Sequence, residues 1–260
     1  MILLFGGTTE GRELTELLLS NGYEVKLSVA SDFGFSIGMN SINGKPSVIK
    51  GRLDKYAMAK VIREERIKIL VDATHPFATA VSLNIDSAAK ATGIRCFRFQ
   101  RDKIEIIDND LISIVEDIES AIASVKDTKG IVFLAIGSKH VVRFLEAIDD
   151  PKNVIVRILP DNESLKRCLD AGVPKKNVIQ ARGPFSRNEN LKDFKRFCPA
   201  LVVTKNSGRA GGTAEKIEAA QEQNIPIVLI EPPKNRQRTY VTYESLLCGI
   251  EEELQLVSKS

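Results

Sequence analysis

One of the chain's two histidines lies in the segment LVDATHPFATA, residues 70–80. An imidazole can donate or accept a proton near neutral pH. KILVD has the composition of a central strand, so ATHP falls just past its carboxyl end, where open α/β sheets bind ligands. We expect Pro76 to lie in the first turn of the next helix, with Asp72 or Thr74 fixing His75 or capping that helix. A structural histidine is the alternative, but this position predicts that Thr74 and His75 line a cofactor pocket.

A second candidate segment, FGGTTEGREL, begins five residues into the chain. The order strand, glycine turn, helix is typical of a dinucleotide phosphate loop, because glycines let the backbone approach a pyrophosphate and the helix amides meet its charge. With Gly6 and Gly11 as the outer glycines of G-x-G-x-x-G, Thr8 replaces the middle one, and its hydroxyl could bond the phosphate. A tight turn without a ligand is the alternative. The residues predicted to bind the cofactor here are Gly6, Gly7, Thr8, Thr9, Glu10 and Gly11.

The second expected strand ends in SVASDFG, where NAD-binding proteins usually carry an acidic residue for the ribose 2′-hydroxyl. Ser31 is neutral, and Asp32 comes late. Arg52, which follows Gly51 in KGRLD, could face a 2′-phosphate instead. We therefore expect Ser31, Gly51 and Arg52 to bind the adenosine end of the cofactor, and the pattern favours NADPH over NADH. The alternative for Arg52 is a solvated loop charge.

The second half of the chain repeats the pattern of strand, glycine and helix in AIGSKHVVRF, residues 135–144. Gly137, Ser138 and Lys139 form a possible anion cradle there, with His140 nearby. The alternative is that Ser138 simply caps a helix. Farther along, QARGPFSRNEN places Arg182 at another strand end, where we expect it to bind a carboxylate of the substrate, with Ser186 as a helix N-cap.

The segment VVTKNSGRAGGTAEKI is the most distinctive of the second half. Two polar side chains end a strand, and a flexible loop rich in small residues and backbone amides follows. Such a loop could be a mere connection, but the polar strand end favours an anion site. The residues predicted to bind the substrate in this segment are Lys205, Asn206, Ser207, Gly208, Gly211 and Gly212.

Apolar runs of strand length alternate with segments of helical spacing. Continuous Val, Ile and Leu runs joined by helices indicate parallel sheets that are covered on both faces. We therefore predict an α/β fold of two domains, 1–100 and 101–260, with a hinge near 100–110. The expected strands are 1–5, 23–30, 47–50, 67–73 and 94–99, then 131–137, 154–159, 178–183, 201–206 and 225–231. Expected helices include 10–20, 53–65, 76–92, 118–124 and 243–257.

Composition narrows the class of protein. The net charge of +3 is too small for a nucleic-acid groove, and no apolar run approaches the roughly 20 residues of a membrane span. The four cysteines are widely spaced, without a C-x-x-C pair or a neighbouring histidine, so we expect no metal site and reduced thiols. We expect a cytoplasmic protein, a monomer or small homo-oligomer, with no nucleic-acid or membrane partner.

The segments GGTTEGREL, GRLD, VDATHPFA, RGPFS and TKNSGRAGGTAEKI together resemble the precorrin-6A reductase family of cobalamin biosynthesis, over nearly the whole chain. DATHPFA and TKNSG are the specific pieces of this resemblance. It implies two Rossmann-like domains, each a mostly parallel sheet flanked by helices, with the active site in the cleft between them. The first domain would bind NADPH or NADH, and the second would bind an anionic tetrapyrrole.

The resemblance also implies the reaction: reduction of the C18=C19 double bond of precorrin-6A, or of its cobalt form, to the 6B form. Such a reduction needs hydride at one carbon and a proton at its neighbour. His75 and Lys205 are the candidate catalytic residues. His75 would act as a pocket residue or as the acid, and Lys205 would stabilise developing charge or donate through water. Protonation by bulk water remains an alternative.

Two other classes of protein also begin with a strand and a glycine turn. A non-catalytic sensor of NAD(P) or another nucleotide would explain GGTTEG but leaves the polar strand ends without a task. A methyltransferase that uses S-adenosylmethionine usually needs an acidic residue where Ser31 stands.

Overall fold

The computed structural model describes residues 1–30, 47–100, 106, 109–233 and 239–257. In chain order, the strands are β1 (Ile2–Gly6), β2 (Val25–Val29), β3 (Ser47–Lys50), β4 (Ile69–Asp72), β5 (Arg95–Phe99), β6 (Ile112–Val115), β7 (Val132–Ala135), β8 (Val154–Ile158), β9 (Val178–Gln180), β10 (Leu201–Lys205), β11 (Ile227–Ile230) and β12 (Thr239–Tyr240). The helices are α1 (Thr9–Ser20), α2 (Lys55–Glu64), α3 (Thr79–Thr92), α4 (Ile118–Val125), α5 (Val141–Leu145), α6 (Asn162–Asp170), α7 (Arg187–Phe197), α8 (Thr213–Glu222) and α9 (Tyr243–Val257).

The chain divides into two compact units. Unit 1 comprises residues 1–102 and 234–260, and unit 2 comprises residues 103–233. Each unit contains its own six-stranded sheet, in the order β12-β5-β4-β1-β2-β3 in unit 1 and β6-β11-β10-β7-β8-β9 in unit 2. Neighbouring strands in both sheets run parallel. The predicted α/β class, with parallel sheets flanked by helices, is confirmed.

Helices cover both faces of the unit 1 sheet, because successive side chains of each buried strand point to opposite sides. Leu4 of β1 packs in a cluster with residues of α1 and α9, such as Leu14 and Ile250. Leu3 packs in a second cluster with residues of α2 and α3, such as Met58. Each apolar strand therefore has a helical layer on either side, as its continuous hydrophobic run requires.

The core of unit 2 is built in the same way. Phe133 of β7 lies in a buried cluster with residues of α7 and α8, including Phe194 and Ile217. The rings of Phe133 and Phe194 meet edge to face, with their centroids 5.3 Å apart. Such a pair adds to the stabilisation that apolar burial already provides.

The strand order reverses beside β1 in unit 1 and beside β7 in unit 2. From β1 the chain adds β2 and β3 on one side and then β4 and β5 on the other; from β7 it adds β8 and β9 on one side and then β10 and β11 on the other. Parallel sheets bind ligands outside the carboxyl ends of their strands at such a reversal. In unit 1 the relevant loops follow β1 and β4, and in unit 2 they follow β7 and β10.

Two expectations differ from the structure. The C-terminal segment does not continue the second domain: β12 pairs with β5, and α9 buries Leu246 and Ile250 in the core of unit 1. The helix expected from Pro76 begins three residues later, at Thr79, because the intervening residues form a turn closed by the bond from the Ala78 amide to the His75 carbonyl. The expected hinge includes residues 101–105, 107 and 108, which lie outside the described residues.

Membrane crossing would require a longer or more apolar helix than any found within the described ranges.

Candidate functional site

The loop between β1 and α1 holds two backbone segments close together. A Cβ atom on Gly11 would lie 2.8 Å from the Cα atom of Gly6, so only glycine lets α1 start this close to its strand. Gly7 has a φ of +132°, and a Cβ added there would meet no atom within 4 Å. The loop therefore presents open main chain at the start of α1.

Thr8 joins this loop to the turn that follows β4. Its hydroxyl donates a hydrogen bond to the carbonyl oxygen of Ala73 at 3.2 Å and accepts one from the amide of Gly11 at 3.1 Å. Because its proton is used on Ala73, the hydroxyl cannot also donate to a phosphate, as the sequence had suggested. Thr9 and Glu10 form the first turn of α1.

Thr74 and His75 form the turn at the carboxyl end of β4, next to the loop after β1. The Nδ1 atom of His75 accepts a hydrogen bond from the amide of Phe77 at 3.2 Å. A neutral imidazole that accepts through Nδ1 carries its proton on Nε2 and can donate only from there. Protonating Nδ1 would break this bond. The turn therefore favours a neutral, hydrogen-bonding ring over a cationic acid.

A buried ion pair lies beneath this turn, and the sequence pattern had not singled out its arginine. Asp72 and Arg98 are in register on β4 and β5, each 3% exposed, with Nη1 and Oδ1 2.5 Å apart. Arg98 donates to the carbonyl oxygen of Thr74 at 2.9 Å and to its hydroxyl at 3.0 Å. Asp72 accepts from the Thr74 amide at 3.0 Å and from its hydroxyl at 2.7 Å. Three polar atoms of Thr74 are thus fixed.

The expected adenosine-binding residues are only partly described. Ser31 lies outside the described residues. Gly51 follows β3 with a φ of +117°, and its amide donates to the carbonyl oxygen of Val29 at 2.9 Å. This bond brings Arg52, whose side chain is exposed, to the point where β2 and β3 end side by side.

In unit 2, the loop after β7 differs in detail from the expected cradle. Gly137 has a φ of +78°, and Ser138 donates its hydroxyl proton to Ser164 at 3.1 Å. Helix α5 has His140 as its N-cap, without a side-chain cap bond, so the alternative that Ser138 caps a helix is wrong. Lys139 is exposed at the same loop.

Positive charge collects where β7 and β10 end. The two strands are neighbours, with Ala135 in register with Thr204. Burial, together with the charge of Lys139, lowers the pKa of Lys205 to about 8. Burial, followed by the charges of Lys205 and Lys139, lowers the pKa of His140. Like charges that depress one another's pKa in this way are relieved when an anion binds among them.

The loop after β10 is held from its inner side. Asn206, 2% exposed, donates from Nδ2 to Glu231 at 2.6 Å, so its amide group has a structural partner. Lys216 donates from Nζ to the carbonyl oxygens of Gly211 and Gly212 at 2.8 and 2.9 Å. Burial lowers the pKa of Lys216 to about 8. Sequence reasoning did not single out Lys216, because a lysine within an amphipathic helix is usually solvated.

The main chain of this loop bonds mostly to itself. The amide of Ser207 donates to Thr213, and the amide of Gly208 donates to Asn206. Gly211 and Gly212 donate to carbonyl oxygens within the loop. A Cβ on Gly211 would lie 2.2 Å from that of Ser207, so glycine is required for close packing. These bonds disfavour an amide cradle and leave Lys205 as the group best suited to meet an anion.

Arg182 is exposed just after β9, and the segment that follows it reaches the loop after β10. A Cβ on Gly212 would lie 3.4 Å from Pro184 and from the carbonyl oxygen of Phe185. Ser186 forms a capping box with Glu189 at the start of α7, as the sequence predicts for its N-cap.

A second buried arginine, also not singled out from the sequence, secures this segment. Arg157 of β8 lies 4.0 Å from the ring centroid of Phe185 and donates to Asn190 and Asp193, both at 2.8 Å. Asn190 in turn donates to the carbonyl oxygens of Phe185 and Ser186 at 3.2 and 2.9 Å. Each unit therefore has a buried arginine that holds a strand-end loop.

Comparisons with known proteins identify the family of the chain. The family model described as "Precorrin-6x reductase CbiJ/CobK" matches residues 1–251. A cobalt-precorrin-6A reductase of Priestia megaterium is 33% identical over 250 residues, which cover 95% of this chain and 96% of that protein. A precorrin-6A reductase of Sinorhizobium sp is 30% identical over 242 residues, covering 90% and 85%.

A solved structure described as CobK precorrin-6A reductase superposes with a TM-score of 0.77 at 26% identity, covering 97% of this chain and 96% of that one. The residues matched by the family model belong to both units. The chain therefore belongs to the precorrin-6x reductase family.

Proposed function

We propose that this protein uses NADPH, or alternatively NADH, to reduce the C18=C19 double bond of precorrin-6A or of its cobalt form, giving the 6B form in cobalamin biosynthesis. Membership of the family supports the reductase activity and disfavours both a sensor and a methyltransferase. Some of the relatives that match the chain are named for cobalt-precorrin-6A and others for precorrin-6A. The observation that carries the cofactor assignment is the open glycine loop at the strand reversal of unit 1.

The residues present fit a dinucleotide. The main chain at Gly7 is exposed, and the space that a side chain would fill there is empty of protein atoms. The adjacent amides at the start of α1 suit a pyrophosphate. Glu10 carries a carboxylate in the first turn of α1, which suits a hydroxyl or amide group of the cofactor and not a phosphate. Arg52 supports NADPH, because a guanidinium pairs with a 2′-phosphate through two hydrogen bonds.

At the other end of the cofactor, the Thr74–His75 turn would face the nicotinamide. NAD(P)H supplies the hydride when it is bound. The chain itself orients the turn. Arg98 donates to the carbonyl oxygen of Thr74, and the amide of Phe77 donates to Nδ1 of His75, which leaves Nε2 as the donor of the ring. His75 then acts by hydrogen bonding and pocket shape, and the bond at Nδ1 argues against its acting as the acid.

Unit 2 would bind the substrate's carboxylates and supply the proton. Lys139, Arg182 and Lys205 lie at the ends of its strands, and arginine pairs with carboxylates through two hydrogen bonds. Lys205, with a pKa of about 8, is mainly protonated at neutral pH yet close enough to that pH to release its proton. We assign the proton donation to Lys205, directly or through water.

The proposal is tested with the wild-type protein. Titration with NADPH, NADH and S-adenosylmethionine, followed by fluorescence and thermal unfolding, should show binding of a nicotinamide nucleotide only. Mixing with precorrin-6A or cobalt-precorrin-6A should then oxidise the nucleotide and add two hydrogen atoms to the tetrapyrrole by mass. A protein that binds neither nucleotide, or binds one without reducing either substrate, would contradict the proposal.

A further inference from the structure

The buried pair of Asp72 and Arg98 is poorly explained by stability alone. Moving two charges out of water costs several kcal/mol each, and apolar residues of similar volume often replace such a pair without loss of stability. Within the described part of the chain, Nε of Arg98 has no hydrogen-bond partner, which adds to the cost. A different benefit is therefore expected from the pair.

The contacts of the pair converge on one residue. Nη2 of Arg98 donates to the carbonyl oxygen of Thr74, and Nη1 donates to its hydroxyl. Asp72 accepts from the amide and the hydroxyl of the same threonine. Two charged groups thus fix both the backbone and the side chain of Thr74, the residue before His75.

These hydrogen bonds to Thr74 set the direction of the peptide group between Thr74 and His75. In a trans peptide, the carbonyl and the following N–H point in opposite directions. Because the Thr74 carbonyl points to the buried guanidinium, the amide of His75 points away from it. The preceding residue is also held, since Ala73 donates to Phe5 and accepts from Thr8. The turn is therefore tied to β1, to the phosphate loop and to β5.

We infer that Arg98, paired with Asp72, is a positioning residue for hydride transfer, which presets the Thr74–His75 turn against the nicotinamide end of the cofactor. The inference rests on the proposed function, because it assigns the nicotinamide to this turn. Arg98 does not touch the cofactor; it acts through Thr74. Displacement of a reacting group by about 1 Å can lower a rate by about 100-fold, so the expected effect falls on transfer and not on affinity.

The test replaces both partners at once, so that no buried charge is left alone. Asp72→Leu/Arg98→Met should fold with a thermal unfolding temperature near that of the wild type. We expect kcat to fall by about 10- to 100-fold, while the Kd for NADPH changes by less than about threefold. The primary deuterium isotope effect with 4-deuterated NADPH should rise, because hydride transfer becomes more rate-limiting. A merely structural role would leave the isotope effect unchanged.

The matched control removes an ion pair on the same strand. Arg95 of β5 pairs with Glu253 at 3.0 Å on the surface of unit 1, and Arg95→Met/Glu253→Leu should keep the wild-type kcat and isotope effect. If the buried double variant does not fold, Arg98→Lys serves instead, since its single ammonium keeps the charge but cannot span both oxygens of Thr74.

Two results would overturn the inference. One is a folded variant with the wild-type isotope effect, whether or not its kcat falls, and the other is a loss of NADPH affinity at unchanged kcat. Wild-type protein that bound neither NADPH nor NADH would instead overturn the proposed function, and the inference with it.

Discussion

At the scale of single residues, Lys205 joins two properties that seldom meet in one lysine. It stands at a strand end among positive charges, and burial lowers its pKa to about 8. A general acid works best when its pKa lies near the working pH. An ordinary surface lysine would hold its proton too tightly, whereas the lowered pKa of Lys205 suits the proton donation proposed for it.

We therefore predict that kcat/KM, which reports the ligand-free protein, falls as the pH rises through about 8, because the neutral amine has no proton to deliver. Lys205→Arg keeps the positive charge but cannot release a proton at these pH values. It should lower kcat by about 10²- to 10⁴-fold and abolish the fall above pH 8. Lys139→Met should move that fall to higher pH, because the charge of Lys139 lowers the pKa of Lys205. The measurement is a pH–rate profile for each variant.

Loss of folded protein would not produce the same fall in rate above pH 8. The pKa values of Lys205 and Lys216 drop from 10.5 to about 8 on folding, so between these values the unfolded chain binds more protons than the folded one. Stability from these two groups therefore rises as the pH increases through that interval. A pH–rate fall that persists in Lys205→Arg would assign the titration to another group, of which Lys216 is the first to examine.

The two arginines that sequence reasoning missed share a pattern. Arg98 lies in the strand segment CFRF and Arg157 in VIVRI, each a charge inside a run of apolar residues. A buried charge needs a partner, so such a residue indicates a polar contact within the core. The pattern does not show which part of the fold the buried charge contacts. Lys26 in VKLSV has the same setting, but it pairs with Glu65 at the end of α2 and not with a loop at a strand end.

At the scale of secondary structure, the glycine loop was foreseen as a loop, but its internal bonds were not. Hydrophobic periodicity locates strands and helices because it reflects which faces are buried. Side-chain bonds between loops, such as that of Thr8 to Ala73, depend on strand order, which a single sequence does not contain. The placement of β12 and α9 was missed for the same reason.

The glycine loop supplies a prediction that separates charge from shape. Gly7→Asp and Gly7→Asn add side chains of nearly equal size at a φ of +132°, so both carry similar backbone strain. Only the aspartate places a negative charge beside the proposed pyrophosphate. We expect the Kd of the aspartate variant for NADPH to exceed that of the asparagine variant by about tenfold or more. Two like charges that lie next to each other at a protein surface repel by a few kcal/mol. Equal Kd values, measured by fluorescence titration, would place the pyrophosphate elsewhere.

Helix α9 gives a second prediction at this scale. Ile250 is fully buried in the core of unit 1, whereas Leu256 on the same helix is 62% exposed. Ile250→Ala should destabilise unit 1 by about 2–5 kcal/mol, and Leu256→Ala by less than about 0.5 kcal/mol. Hydrogen exchange of peptides from residues 2–29 reports on unit 1 separately. Equal protection of these peptides in both variants would show that α9 does not complete this core.

At the scale of the whole molecule, the two sheets share one plan and differ in the charges at their strand ends. Unit 1 presents the glycine loop, the Thr74–His75 turn and the exposed Arg52, while unit 2 presents Lys139, Arg182 and Lys205. Family membership shows the class of reaction but does not show which unit binds which ligand. The charges favour the dinucleotide in unit 1 and the carboxylates of the tetrapyrrole in unit 2.

This division predicts opposite effects in the two units. Arg182→Ala should raise the KM for the tetrapyrrole by about 10- to 100-fold, the range for losing a hydrogen bond to a charged group, and should leave the Kd for NADPH unchanged. Arg196→Ala removes an exposed arginine near the far end of α7 and is the control for a general loss of positive charge. Gly7→Asp should show the reverse pattern, with weaker NADPH binding. If Arg182→Ala instead weakened NADPH binding and left the substrate KM alone, the two ligands could not be divided between the units in this way.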